Sequence, residues 1–138
     1  MRISLTRTVG FHATHRYFRP EWSAEVNRSR FGWTSEEPGH PHDYSCSVTL
    51  SAPPDPVTGM IVDLGVFDRL LADVVVTPFQ GKHINRDVPE FAYGKLLPTC
   101  EALARYFFER IAPRLAEGVI LERVMIAEDA TLSAECTR

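Results

Sequence analysis

Apolar and polar residues alternate near both ends of this chain and recur at helical spacing in its middle, a pattern that predicts a sheet with helices laid on one face. The stretch from about Arg2 into Thr14 alternates and reads as a first strand. A second runs from about Asp43 to Ser51, where Tyr44, Cys46, Val48 and Leu50 alternate with Ser45, Ser47 and Thr49 as in a strand with one buried face. Ala52-Pro53-Pro54-Asp55-Pro56 ends it, because proline supplies no ladder donor. After Asp63 the period changes, and Phe67, Leu70, Leu71 and Val74 predict a helix. Leu103, Tyr106, Phe107, Ile111 and Leu115 predict a second, with Thr99 as N-cap, Glu101 in the first turn and Pro113 bending or closing it. Val119 to Ala127 and Thr131 to Cys136, broken near Asp129, predict a closing hairpin. The order β-β-α-α-β-β predicts an α+β domain, an antiparallel four-stranded sheet with two helices on one face. A long polar loop, roughly Tyr17 to Pro38, joins the first two strands and carries Trp22, Phe31 and Trp33, and a connection this long in a small domain is more often functional than idle.

Composition narrows the functions open to such a domain. With 138 residues and 44% hydrophobic content the chain predicts one domain, 1–138, able to bury a core without staples. A net charge of −3 and the absence of any Lys/Arg run leave no electrostatic footprint for nucleic acid or an anionic membrane. The alternating N-terminus reads as a strand, neither signal peptide nor membrane span, so the expected location is the cytoplasm. Three widely spaced cysteines with no C-x-x-C fit reduced thiols, and none is expected to bind metal.

The histidines change the picture. His40 and His42 stand at i and i+2 where the second strand begins, and such residues share one face of a strand. His15 closes Phe11-His12-Ala13-Thr14-His15 at the end of the first strand. Two imidazoles from one strand and a third from its partner give three protein ligands with an open position, the usual form of a catalytic zinc centre. Taken alone, histidines near a strand start can equally be surface residues or satisfied partners of backbone groups.

Six ordered blocks weigh against that alternative: Phe11 to His15, Gly39 to Tyr44, Gly59-Met60-Ile61-Val62-Asp63, Asp87-Val88-Pro89-Glu90-Phe91, Pro98-Thr99-Cys100-Glu101 and Ala127-Glu128. Along nearly the whole chain they resemble the 6-pyruvoyl-tetrahydropterin synthase and 6-carboxy-tetrahydropterin synthase family, whose pattern runs F-x-A-x-H, G-H-x-H-x-Y, G-M-[IV]-V-D, D-V-P-x-F, P-T-x-E and a late strand ending in Glu. The resemblance implies the tunnelling fold, in which three subunits join sheets into a barrel and two trimers stack as a homohexamer with active sites between subunits. It implies Zn²⁺ on His15, His40 and His42, and a pterin-like small-molecule substrate whose ring is recognised by Glu128 and by the turn carrying Thr99, Cys100 and Glu101. Without it, Glu128 reads as an exposed hairpin residue and Glu101 as a helix N-terminal charge.

The family's catalytic residues are where this chain departs. Family members carry a cysteine base shortly before H-x-H, and here Thr34, Glu36 and Glu37 stand at the candidate positions. The family's Asp-His pair, aligned without gaps through Pro78 to Pro89, falls on Gln80 and Gly81; a two-residue shift puts Lys82-His83 there but loses the Asn85 match. Relatives that use a glutamate in place of the cysteine suggest Glu36 or Glu37 as base, with His83 as a further candidate. The sequence therefore predicts a zinc-dependent lyase or aldolase-type enzyme with an altered acid/base group, acting on a dihydropterin or a related hydroxylated carbonyl compound. Its rival is a non-catalytic homologue that keeps metal and pterin sites, and a purely structural zinc usually has four protein ligands.

Overall fold

The computed structural model describes residues 1–138. Its centre is a sheet of order β3-β1-β2-β4-β5, built from β1 (Ile3–His15), β2 (His40–Ala52), β3 (Lys82–His83), β4 (Ile120–Ala127) and β5 (Ser133–Thr137). β1, β2, β4 and β5 pair antiparallel, whereas β3 lies parallel to β1 through Ala13↔Lys82 and Thr14↔His83. The α+β class holds, and the strand count rises from the expected four to five. Two residues without an alternating pattern are invisible to periodicity.

One face of the sheet is dry. Phe11 and Ala13 of β1, Tyr44, Cys46, Val48 and Leu50 of β2, and Leu121, Val124 and Ile126 of β4 are buried on it. Against them lie α2 (Leu64–Leu71) and α3 (Cys100–Ile111), burying Phe67, Leu70, Leu71, Leu103, Phe107 and Ile111. Asp63 caps α2 by accepting from the Val66 N–H, and Thr99 caps α3 by accepting from Ala102. α2 continues through a widened π turn, Ala72–Val76, into Thr77–Phe79. Pro78 explains the widening, since it has no N–H to give the Val74 carbonyl. The opposite face carries hydroxyls, with Thr6 bonded to Thr49 at 2.7 Å and Thr8 to Ser47 at 2.8 Å.

The expected long loop is not structureless. It holds α1 (Ala24–Phe31) followed by a 3-10 turn, Gly32–Ser35. The only residue of α1 that is buried is Asn27, whose side chain accepts from the Arg19 N–H at 2.7 Å and donates to the Arg19 carbonyl at 3.0 Å. A helix anchored by one amide rather than by an apolar stripe leaves no period to read. β2 also starts earlier than expected, at His40, which puts both histidines of the H-x-H pair on the ladder.

Candidate metal centre

Strand register assembles the three histidines. His15 lies directly opposite His40, and Ala13 opposite His42, so all three imidazoles point to the helix-covered side at one rim of the sheet. Their ring centroids are 4.5 Å (His15–His40), 4.9 Å (His15–His42) and 5.0 Å (His40–His42) apart, close to an equilateral triangle. Gly39 makes this approach possible. At its φ of 117°, a Cβ would stand 2.5 Å from the His15 carbonyl oxygen, so any other residue would push β2 away.

Each ring is prepared to donate a lone pair. His15 is completely buried, and its Nδ1 lies 2.9 Å from the Pro98 carbonyl and 2.9 Å from the Tyr44 hydroxyl. A carbonyl can only accept, so Nδ1 carries the hydrogen and Nε2 the lone pair. Nε2 of His15 and of His42 are buried without a hydrogen-bond partner, a costly state for a polar atom unless something else binds there. Burial, aided by the neighbouring His40, holds His15 down at about 3, and burial with His42 holds His40 at about 4. Both are neutral at pH 7, as a metal ligand must be. One nitrogen from each of the three rings lies within 4.8 Å of the others. Three converging imidazoles, one fully buried and two part-buried, with two unpartnered Nε2 atoms among them, fit a zinc ion.

Around this triangle stand residues that the sequence marked and others that it did not. Glu128 is 8% exposed, at the end of β4, and not the surface hairpin residue it resembles in isolation. Its Oε2 is 2.8 Å from His42 Nε2 but outside hydrogen-bonding alignment, and its Oε1 accepts from the Cys100 thiol at 3.5 Å. Burial and the Glu128 charge push the Cys100 thiol up to about 12, which keeps it a donor. Thr99 uses its hydroxyl to cap α3, and Glu101 is exposed in the first turn of that helix. Tyr17 and Trp33 flank His40, with ring centroids 6.2 and 4.6 Å away. Burial and the Glu128 charge raise the Tyr17 hydroxyl, so it stays protonated. No motif announced these two aromatics beyond their place in a long loop.

The candidate acid/base groups are more dispersed. Glu36 and Glu37 are exposed; the Glu36 carboxylate has no hydrogen bond or ion pair, and Glu37 lies 3.4 Å from the Arg16 guanidinium. Arg16 also donates to the Ser35 carbonyl at 2.7 Å and stacks over Phe18 at 4.0 Å, which holds the turn after α1 against the residue next to His15. Thr34 turns its hydroxyl back to the Phe31 carbonyl. His83 sits in β3 beside Thr14, with its ring against the Pro38 carbonyl through Nε2, and its Nδ1 is buried and unpartnered. Gln80 and Gly81 bind the outer edge of β1, where Gln80 Oε1 accepts from the His12 N–H at 3.0 Å and the Gly81 N–H donates to the His12 carbonyl at 2.7 Å.

Known proteins resemble this chain in sequence and in fold. At 34% identity the chain matches a Poecilia reticulata 6-pyruvoyl tetrahydrobiopterin synthase over 86% of its own length and 79% of the relative's. The Homo sapiens protein of that name matches at 31%, over 86% of this chain and 81% of that one. A Caenorhabditis elegans 6-pyruvoyl tetrahydropterin synthase structure superimposes with a TM-score of 0.91 at 25% identity, covering 100% of this chain and 96% of that one. A Plasmodium vivax 6-pyruvoyl tetrahydropterin synthase shares the fold with a TM-score of 0.70 at 13% identity, covering 100% of this chain and 98% of that one. Since the family described as 6-pyruvoyl tetrahydropterin synthase also matches residues 4–138, the chain belongs to that family.

Proposed function

We propose that this protein is a zinc-dependent lyase acting on a dihydropterin or a related hydroxylated carbonyl substrate, with an acid/base group unlike the usual family set. The observation that carries the reading is the convergence of three imidazoles, two of them with buried and unpartnered Nε2 atoms. His15, His40 and His42 would hold the ion, which supplies Lewis-acid stabilisation of negative charge developing on substrate oxygen. Three ligands rather than four favour a catalytic over a structural centre.

The chain's own residues would do the rest. Glu128, buried beside His42 and oriented by the Cys100 thiol, suits a bidentate hold on the N–C–N edge of a pterin ring. Glu101 at the head of α3, with Thr99 fixing that helix start, would border the same ring. For proton transfer the candidates are Glu36, Glu37 and His83. Glu37 is steadied by Arg16, and His83 offers an unpartnered Nδ1. Variants of the Plasmodium vivax synthase that replace a catalytic glutamate by cysteine or alanine support a carboxylate in this role.

The test compares turnover of dihydroneopterin triphosphate to 6-pyruvoyl- or 6-carboxy-tetrahydropterin with cleavage of the dihydropterin side chain. The first is expected to be slow, for want of any cysteine ahead of the His40–His42 pair and of Asp-His at Gln80-Gly81; robust standard turnover removes the altered-base reading. Glu36→Gln, Glu37→Gln and His83→Asn are then measured in kcat/KM, and loss of the base is expected to cost about 10²–10⁴-fold. Wild-type turnover in all three eliminates every candidate named.

We further propose a cytoplasmic homohexamer of two stacked trimers. β5 and the Ile3–Phe11 stretch of β1 both have outer edges without a strand partner, and cyclic closure pairs them. Light scattering is expected to give six times the 15.6 kDa chain mass. A stable monomer at micromolar concentration rules this assembly out.

A further inference from the structure

Glu128 is a buried carboxylate with almost nothing to balance it. Its side chain is 9% exposed, no Lys or Arg lies within ion-pair distance, and its one hydrogen bond comes from the Cys100 thiol, a weak donor, at 3.5 Å. A carboxylate taken out of water is costly unless it is paired. Strand register aims it at the histidines. Ser45 pairs with Ala127, so Glu128 stands level with Tyr44, on the face that buries Val124 and Ile126 and carries the triangle. Its Oε2 lies 2.8 Å from His42 Nε2, which is buried and makes no hydrogen bond to it or to anything else.

That spacing suits two ligands of one ion better than a hydrogen bond. Zinc takes imidazole nitrogen and carboxylate oxygen at about 2.0–2.2 Å, so two such ligands at a right angle stand about 2.9 Å apart. Asp129 also comes within 4.8 Å of His42 and Glu128, but its Oδ1 is engaged, accepting from the Thr131 N–H, the Thr131 hydroxyl and the Leu132 N–H. Those bonds hold the turn, and the Glu128 N–H donates to the Leu132 carbonyl at 3.1 Å. The backbone of Glu128 is therefore fixed. Its side-chain torsions alone separate one carboxylate position from another.

We infer that Glu128 is an exchangeable fourth ligand: its Oε2 closes the position that His15, His40 and His42 leave open, and a ring with an N–C–N donor edge draws it away. This rests on the lyase reading, in which the same carboxylate holds that edge. In the exchange one metal–oxygen bond breaks and two N–H···O bonds form, with no net transfer of protons. The ring thereby opens the site for its own side chain. A hydroxylated carbonyl compound without such an edge meets four filled positions. The substrate class narrows accordingly to dihydropterins and other heterocycles that carry both the N–C–N edge and side-chain oxygens.

The experiment titrates imidazole, a neutral one-point ligand, into the cobalt-loaded protein and follows the visible spectrum. It is done with and without saturating 2-aminopyrimidin-4-one, a ring fragment that has the N–C–N edge and no side chain. In wild-type protein the fragment is expected to tighten imidazole binding about fivefold or more, the coupling that displacement of a shared ligand produces. Glu128→Gln, checked for folding by circular dichroism, is expected to bind imidazole without the fragment as tightly as fragment-saturated wild type does. The wild-type comparison needs no variant. Bound cobalt and fragment with no coupling, and unchanged imidazole affinity in Glu128→Gln, overturn the inference and leave the lyase reading in place. Coupling that persists unchanged in Glu128→Gln assigns the exchange to another group and overturns it too. Tighter imidazole in Glu128→Gln without coupling in wild type makes Glu128 a permanent ligand, the mark of a structural centre, and overturns both readings. A protein that binds no divalent metal also overturns both.

Discussion

Protein carrying His40→Ala together with His42→Ala is expected to purify folded but with less than about a tenth of the wild-type zinc, because one remaining imidazole cannot hold the ion. Removing an outer-shell partner alone typically costs about 10–100-fold in metal affinity, so loss of two direct ligands should exceed that range. Folding should survive. His40 and His42 are only part-buried and lie at the rim, away from the apolar cluster. Metal analysis together with circular dichroism checks both halves of the prediction. Stoichiometric zinc in the double variant would assign the ion to other residues.

Phe107→Ala is expected to destabilise the fold by about 3–5 kcal/mol, the range for truncating a buried aromatic. Phe107 is fully buried on α3, with ring centroids 4.9 Å from Phe79 and 6.1 Å from Phe11. Phe11 in turn stacks on Tyr44 at 4.9 Å, and the Tyr44 hydroxyl reaches His15 Nδ1. The cavity would therefore loosen the support of the candidate metal centre as well as the core. Urea unfolding with unchanged m-value measures the first effect, and zinc affinity the second. A loss below about 1.5 kcal/mol would mean that the core collapses around the gap, against the close packing of these rings.

The elements that carried strong periodicity were legible in the chain itself. Alternation in β2 and in the part of β1 from Phe11 onward, the helical spacing of Phe67, Leu70 and Leu71, and that of Leu103, Phe107 and Ile111 each encode burial of one face, and burial is what the structure makes of them. β3 and α1 were not legible, for opposite reasons. β3 is too short to show a period, and α1 is anchored by the amide of Asn27, so neither leaves an apolar signature. The π turn before Phe79 follows from Pro78 only once the helix is known to continue through it.

The candidate metal centre divides the same way. Residue spacing alone determined that His40 and His42 share a face, because the side-chain period of a strand is two. Which residue meets them is a matter of register, and only the folded sheet sets His15 opposite His40 and leaves Nε2 of His15 without a partner. Likewise Glu128 reads as a surface charge until the β4–β5 turn folds it under α3 beside Cys100 and His42. His12 and Asp43, 31 positions apart, become a pair only across the ladder. A sequence specifies which side chains a strand presents to each face through local stereochemistry, whereas the meeting of distant groups depends on register, and register is decided by the packing of the whole domain.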